Sequence, residues 1–327
     1  MSAPVLLDLT HTSHTRARTG IQRVARSLHT ALGPRSLAIT HDPYLDAWRP
    51  LETWEQENLT AESAAGKRSA KWPLPARLRS RTRHFFSSST RRSQISDLRS
   101  AGAIVPEIFS PATAAALPAL FAATRGPRVA LFHDAIALKF PELTPTKTVA
   151  RFPAYLQELL AFDGIAAVSE ESRESLLDYW RWLGLTPLPP VRTLPLGIDG
   201  KCHLIDDTLP RHTPPVVLCV GSIEGRKNHL ALLEACESLW ARGVRFELHL
   251  VGLAQLETGR VALDRVRALQ ARGHPLRYDG PVSDAALESA YAACTFTVYP
   301  SLCEGFGLPV IESLARGKPC ICSARGA

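Results

Sequence analysis

Short apolar runs alternate with amphipathic stretches along most of the chain. Val5–Leu9, Ser36–Thr40, Val129–His133, Ile165–Ser169 and Val191–Leu196 lack a clear in-out alternation, as strands of a parallel sheet covered on both faces do. Between them, Ile21–Leu32 places Ile21, Val24, Ala25, Leu28 and Leu32 on one helical face. Phe152–Phe162 and Glu171–Leu183 follow the same period, the second behind Ser169 as its N-cap. The alternation predicts a doubly wound α/β domain over residues 1–200.

A polar, proline-containing stretch, Asp199–Pro215, reads as a linker. Beyond it the alternation resumes. The expected strands are Val216–Val220, Phe246–Val251, Leu276–Tyr278, Phe296–Tyr299 and Pro319–Cys322. The expected helices are Asn228–Ala241, Arg260–Ala271, Asp284–Ala292 (behind Ser283) and Gly307–Ala315. Residues 201–327 therefore form a second α/β domain. Two such domains predict a cleft lined by the carboxyl ends of their strands, where this architecture binds ligands.

Composition narrows the setting. No apolar run approaches the roughly 18 residues of a membrane span, and the first residues lack the basic n-region of a secretory signal. The seven cysteines are odd in number, scattered and without a C-x-x-C pair, which suits a reducing cytosol and argues against a disulfide framework or a zinc site. The formal charge is +7, and its excess is local. Ser63–Ser96 holds nine basic residues (Lys67, Arg68, Lys71, Arg77, Arg79, Arg81, Arg83, Arg91 and Arg92) and no acid, so the rest of the chain is slightly acidic. With Trp72, Phe85 and Phe86 interleaved, the segment reads either as a solvated loop or as an element for an anionic membrane surface. Nucleic acid is disfavoured, because no helix-turn-helix, zinc-finger or RNP motif accompanies it.

Four stretches carry candidate chemistry. Glu304-Gly305-Phe306-Gly307-Leu308-Pro309-Val310-Ile311-Glu312 lies between a strand and a helix. Its glycines permit close backbone approach, and the free amides of a helix start favour a phosphate. Glu304 in the loop and Glu312 in the helix would hold two separate hydroxyl-bearing parts of one ligand. Gly221-Ser222-Ile223-Glu224-Gly225-Arg226-Lys227-Asn228 opens the next helix. Two cations there oppose the helix dipole, a conflict that a bound diphosphate would relieve. His133-Asp134 ends a strand; the competing view is a buried structural histidine beside a capping aspartate. Thr19-Gly20-Ile21-Gln22-Arg23 is a glycine turn before the first helix, and it is weak evidence alone. No D-x-D sequence occurs, so no metal clamp on a diphosphate is expected.

Together these residues resemble the retaining GT-B glycosyltransferases of the glycosyltransferase family 4, or group 1, type. That family includes bacterial mannosyl- and rhamnosyltransferases of surface polysaccharide assembly. The likeness runs through Gly20–Val24, His133-Asp134, Val168-Ser169, Leu196–Asp199, Val220–Asn228 and the E-x7-E pair Glu304/Glu312. It implies two Rossmann-like domains facing a cleft and a nucleotide-diphosphate-sugar as donor. Glu304 would bind sugar hydroxyls and Glu312 the ribose. Arg226 and Lys227 would hold the diphosphate, with Gly221, Ser222, Gly305 and the amides of Phe306, Gly307 and Leu308 around it. His133 would touch the transferred sugar, and Gly20 and Ile21 would approach donor and acceptor from the first domain.

The resemblance further implies a glycan or lipid-linked acceptor, no metal or other cofactor, and a cytoplasmic or peripheral inner-membrane location. A family-length second domain would continue past Ala327, so residues 201–327 are expected to be C-terminally incomplete. The family more often places its arginine where this chain has Ser222. The subgroup with E-P-R-K-N has it at the Arg226 position, but Gly225 replaces the proline here. Competing functions are a non-catalytic sugar-nucleotide-binding subunit and an epimerase on the same fold.

Overall fold

The computed structural model describes residues 4–61, 71–86, 102–198 and 214–324, in which strands and helices build two separate sheets. By contacts the chain divides into two units, residues 1–133 with 154–194 and residues 134–153 with 195–327. The Asp199–Pro215 linker lies outside the described residues up to position 213.

In the first unit, seven strands form one sheet: β1 (Val5–Asp8), β2 (Ser36–Asp42), β3 (Ala47–Pro50), β4 (Gly102–Val105), β5 (Arg128–Phe132), β6 (Gly164–Ala167) and β7 (Val191–Thr193). Their spatial order is β3-β2-β1-β4-β5-β6-β7, and every pairing is parallel except β2 with β3. The chain order therefore reverses between β1 and β4, whose carboxyl ends lie side by side. The helices, in chain order, are α1 (Gly20–Leu32), α2 (Thr53–Thr60), α3 (Leu74–Phe86), α4 (Pro111–Ala122), α5 (Ile136–Lys139), α6 (Thr146–Glu158) and α7 (Glu170–Trp182). Of these, α5 and the start of α6 group with the second unit. Ser169 caps α7 as expected, accepting from the Ser172 amide at 3.1 Å. Leu7, Leu9, Ala25, Leu51 and Leu59 pack together beneath α1 and α2.

The second unit carries the parallel sheet β10-β9-β8-β11-β12, made of β8 (Val216–Val220), β9 (Glu247–Val251), β10 (Leu276–Tyr278), β11 (Phe296–Tyr299) and β12 (Cys320–Cys322). Its helices are α8 (His229–Ala241), α9 (Leu256–Ala271), α10 (Asp284–Ala293) and α11 (Leu308–Ala315). Alternate residues of β8 face opposite layers. Val217 and Cys219 pack with Leu232, Leu233 and Leu263, while Leu218 packs with Ala290, Tyr291 and Cys294. Both faces are covered, which explains the unbroken apolar runs in the sequence. Here too the order reverses, between β8 and β11.

Candidate functional site

The loops leaving β8 and β11 start from the switch point of the second sheet, where an open α/β sheet leaves a crevice for ligands. Arg226 and Lys227 lie just before α8, which starts one residue beyond the Asn228 that the sequence suggested. They occupy a separate 3₁₀ turn, Gly225–Lys227, closed by Asn228 in the left-handed conformation (φ 54°) before α8 starts. Their charges converge on the β11 loop. Arg226 Nη1 donates to Glu304 Oε2 at 2.8 Å, and Lys227 Nζ donates to Glu304 Oε1 at 2.6 Å. Arg226 Nη2 pairs with Glu224 Oε1 at 2.7 Å, and Lys227 Nζ also meets the Tyr299 hydroxyl. The two cations are thus matched by carboxylates.

The match is uneven. Burial works against the Glu304 charge, but Lys227 and Arg226 outweigh it and hold that carboxyl below its ordinary range. Burial likewise opposes the Arg226 charge, but Glu304 and Glu224 keep its pKa above the usual value. Lys227 is instead pulled down, first by burial and then by the neighbouring Arg226 charge. An additional anion beside Lys227 would restore it. Burial, reinforced by Glu304, pushes the Tyr299 hydroxyl up, so it stays protonated.

The E-x7-E stretch divides between loop and helix, as the sequence suggested. Glu304 and Gly305 lie in the loop, with Phe306 and Gly307 leading into α11, which Leu308 opens; Glu312 is buried inside that helix. Gly307 is the N-cap, at φ 88°, where a side chain would be strained, and no side chain caps the first turn of α11. The hydroxyl of Tyr291, on α10, lies 3.4 Å from Glu312 Oε2.

Close packing fixes the Gly221–Glu224 loop. Gly221 N–H donates to Val251 O (2.9 Å) and Ile223 N–H to Leu253 O (3.0 Å), with Ser222 half-buried between them. Behind the loop, a Cβ on Gly252 would stand 2.0 Å from Gly221 O, and one on Gly259 2.1 Å from Ile223 O. These two glycines let the start of α9 press against the cation loop. Gly225 also has a local reason: its N–H donates to Thr258 Oγ1 at 3.3 Å, a bond that proline could not make.

In the first unit, Gly20 opens α1 behind Thr19, and Ile21 is half-buried beside it. His133, just past β5, is buried, and its Nε2 donates to Pro106 O at 2.7 Å. Asp134 Oδ1 accepts from the Ile136 amide at 3.0 Å. Both arrangements match the structural alternative, an anchored histidine and a capping aspartate. Periodicity and motifs do not reveal the buried carboxyls at the neighbouring strand ends, Asp8 closing β1 and Glu107 just past β4. Asp8 is pushed up to about 7, chiefly by burial, with the Glu107 charge adding to it. Among the described residues, no group of three or more His, Cys, Asp or Glu is placed to hold a metal ion.

Comparison with known proteins gives these loops a context. Residues 203–327 match the family Glycosyl transferases group 1. The serotype-specific mannosyltransferase WbdA of Escherichia coli is 26% identical over 97% of this chain and 38% of its own length. The O-antigen chain mannosyltransferase B of Escherichia coli is 31% identical over 60% of this chain and 52% of its own. The chain thus spans less than two fifths of WbdA and about half of the second relative. Among solved structures, sucrose-phosphate synthase from Thermosynechococcus elongatus superposes with a TM-score of 0.64 at 18% identity, covering 99% of this chain and 82% of that one. Anabaena Alr3699/HepE in complex with UDP and glucose gives 0.64 at 16%, with the same coverage. These likenesses establish the GT-B fold.

Two outcomes test the geometry. Gly259→Ala should cost about 1–3 kcal/mol in urea denaturation by driving its methyl into Ile223. Gly225→Ala first meets the flexible end of Leu143, at 3.2 Å, and should stay within about 1 kcal/mol. Equal costs would contradict the close packing. The second outcome concerns pH. An acid whose folded pKa is about 7, against 3.8 for the free group, holds its proton more tightly when folded. Its contribution to stability therefore falls as pH rises from about 4 to about 7. Asp8→Asn keeps an acceptor for Thr10 and removes that titration. Denaturation across this window should show the variant gaining on the wild type as pH rises, and parallel curves would contradict the shift.

Proposed function

We propose, from the premise that this chain carries a group 1 glycosyltransferase domain of the GT-B fold and is homologous to mannosyltransferases, that it transfers mannose or a related sugar with retention and without a metal. The donor is a nucleotide-diphosphate-sugar and the acceptor a glycan or lipid-linked glycan of surface polysaccharide assembly. The observation that carries this reading is the convergence of Arg226 and Lys227 on Glu304 at the β8/β11 switch point. An incoming diphosphate takes over the two cations and adds a further anion beside Lys227. Glu304, released in part, turns to the sugar hydroxyls, and Glu312 binds the ribose. The amides at the start of α11 meet the phosphates.

Transfer then breaks the bond from the anomeric carbon to the leaving phosphate oxygen. The acceptor oxygen bonds to that carbon on the same face, and its proton passes to the departing diphosphate. Arg226 and Lys227 stabilise the charge that develops there. The metal-free reading rests on this pair and on the absence of D-x-D from the sequence. His133, with its ring anchored on Pro106, is assigned to the sugar by resemblance, as are Gly20 and Ile21 to the donor and acceptor.

A thermal-shift screen of GDP-, UDP- and dTDP-sugars tests the donor. One should stabilise the wild type and do so less for Glu312→Ala and Arg226→Ala. No shift with any donor would refute donor binding, and a shift without turnover would leave a sugar-nucleotide-binding subunit. Product anomeric configuration and activity in EDTA test retention and metal independence.

We also place the protein at the cytoplasmic face of a membrane, through the basic segment. Lys67, Arg68, Arg91 and Arg92 lie outside the described residues, but α3 supports the reading. Ala76 and Ser80 face inward, and Leu74 and Leu78 on the opposite side are 67% and 54% exposed. Arg77 and Arg81 flank them, each over the Tyr44 ring. Among the described residues no helix is long and apolar enough to cross a membrane. An interfacial helix of this kind seats its leucines at the headgroups. Leu74→Ser with Leu78→Ser should weaken binding to phosphatidylglycerol vesicles by at least about tenfold, and unchanged binding would return α3 to an ordinary surface helix.

A further inference from the structure

The loop between β1 and α1 is held from the end of β4. Glu107, buried just past that strand, accepts through Oε2 from the backbone amides of His11 (3.0 Å) and Thr12 (3.2 Å). Its Oε1 accepts from the Thr12 hydroxyl. A carboxylate suits this position because it offers several lone pairs to donors that would otherwise be buried unpaired.

From His11 the bonding runs on to the start of α1. His11 Nδ1 lies 3.2 Å from Gln22 Nε2, which can only donate, so the ring nitrogen accepts. That fixes the Gln22 amide with its oxygen turned to Thr19, whose hydroxyl donates to it. Thr19 is the residue before Gly20. Its hydroxyl is spent on Gln22, so it does not cap the first turn of α1. The adjoining residue of the β4 end, Pro106, holds the His133 ring through its carbonyl at 2.7 Å. One strand end, at the switch point of the first sheet, is thus tied to both first-unit elements assigned to the reaction.

We infer that Glu107 is a positioning residue for transfer: through the His11–Gln22–Thr19 relay it sets the Gly20–Ile21 turn, while the neighbouring Pro106 carbonyl fixes His133. The inference rests on the transferase reading for its consequence, and on hydrogen bonds alone for the relay. Its mechanism is geometric. Glu107 touches no substrate; it removes freedom from a loop that must present Gly20 and Ile21 in one position, and small displacements of such groups cost rate.

Hydrogen exchange and kinetics on the full chain test it together. Glu107→Ala should speed amide exchange at His11, at Thr12 and at residues 19–22, keep the nucleotide-sugar thermal shift, and lower kcat by about tenfold or more with donor KM little changed. Glu107→Gln retains an acceptor for the two amides and should recover kcat to within about threefold. Gln22→Ala interrupts the relay midway, so exchange should rise at residues 19–22 while His11 and Thr12 stay protected, and kcat should fall. These two variants decide the matter if Glu107→Ala does not fold. Exchange confined to His11 and Thr12 in Glu107→Ala, or unchanged at residues 19–22 in Gln22→Ala, overturns the relay. Faster exchange with wild-type kcat overturns the positioning role. If the wild type neither binds nor turns over a nucleotide sugar, the transferase reading fails, and the exchange data still decide the relay.

Discussion

Glu304 is shared by two cations, and much of the second unit serves that sharing. Its oxygens are reached separately by Arg226 and Lys227, so a single carboxylate ties the loop after β8 to the loop after β11. Two adjacent positive charges, one of them deeply buried, would be costly without it. Glu224 takes the other arm of Arg226, and Tyr299 takes another hydrogen of Lys227. An arrangement balanced in this way leaves neither cation without a carboxylate. On the proposed function it also makes donor binding an exchange of partners, because an arriving anion would compete with carboxylates already in place.

That exchange needs a loop that does not drift. The glycines at 252 and 259 supply this by letting backbone press on backbone, at separations no side chain would allow. Sterics of this kind leave no trace in hydrophobic periodicity. Gly252 reads as an ordinary turn after a strand, and the sequence suggested a helix starting at Arg260, whereas α9 begins at Leu256 and carries Gly259 within it. Periodicity did locate the larger elements. β8, β10 and β11 have the predicted ends, and Ser169 and Ser283 cap the helices they were expected to cap.

The elements the sequence hid share a cause. The strand β4, Gly102–Val105, is short and glycine- and alanine-rich, so no apolar run announces it. Without β4 there is no switch point in the first sheet and no reason to notice Glu107. The antiparallel strand β3 lies outside the strand-helix alternation, and α2 follows it. Similarly, Thr12, Ser13 and His14 look like a polar surface loop but are buried. Burial of polar groups depends on partners distant in sequence, here Glu107 and Glu55, and a local window cannot see them. The E-x7-E and R-K-N stretches were legible because their constituents are contiguous.

Both units place a carboxylate where the strand order reverses, Glu107 buried and Glu304 half-buried, and the two behave oppositely. Glu107 meets amides and a hydroxyl; burial prevails over them and its pKa rises. Glu304 meets two full cations, which prevail over burial, and its pKa falls. The difference follows from the partners alone, since both groups are largely withdrawn from water. Neutral donors stay attached to Glu107 whatever anion arrives, because they carry no net charge for it to claim. Cations on Glu304 are open to competition from any stronger anion. A switch-point carboxylate bound to backbone therefore acts as a fixture, and one bound to cations is the kind of partner that, on the proposed function, an incoming diphosphate would displace.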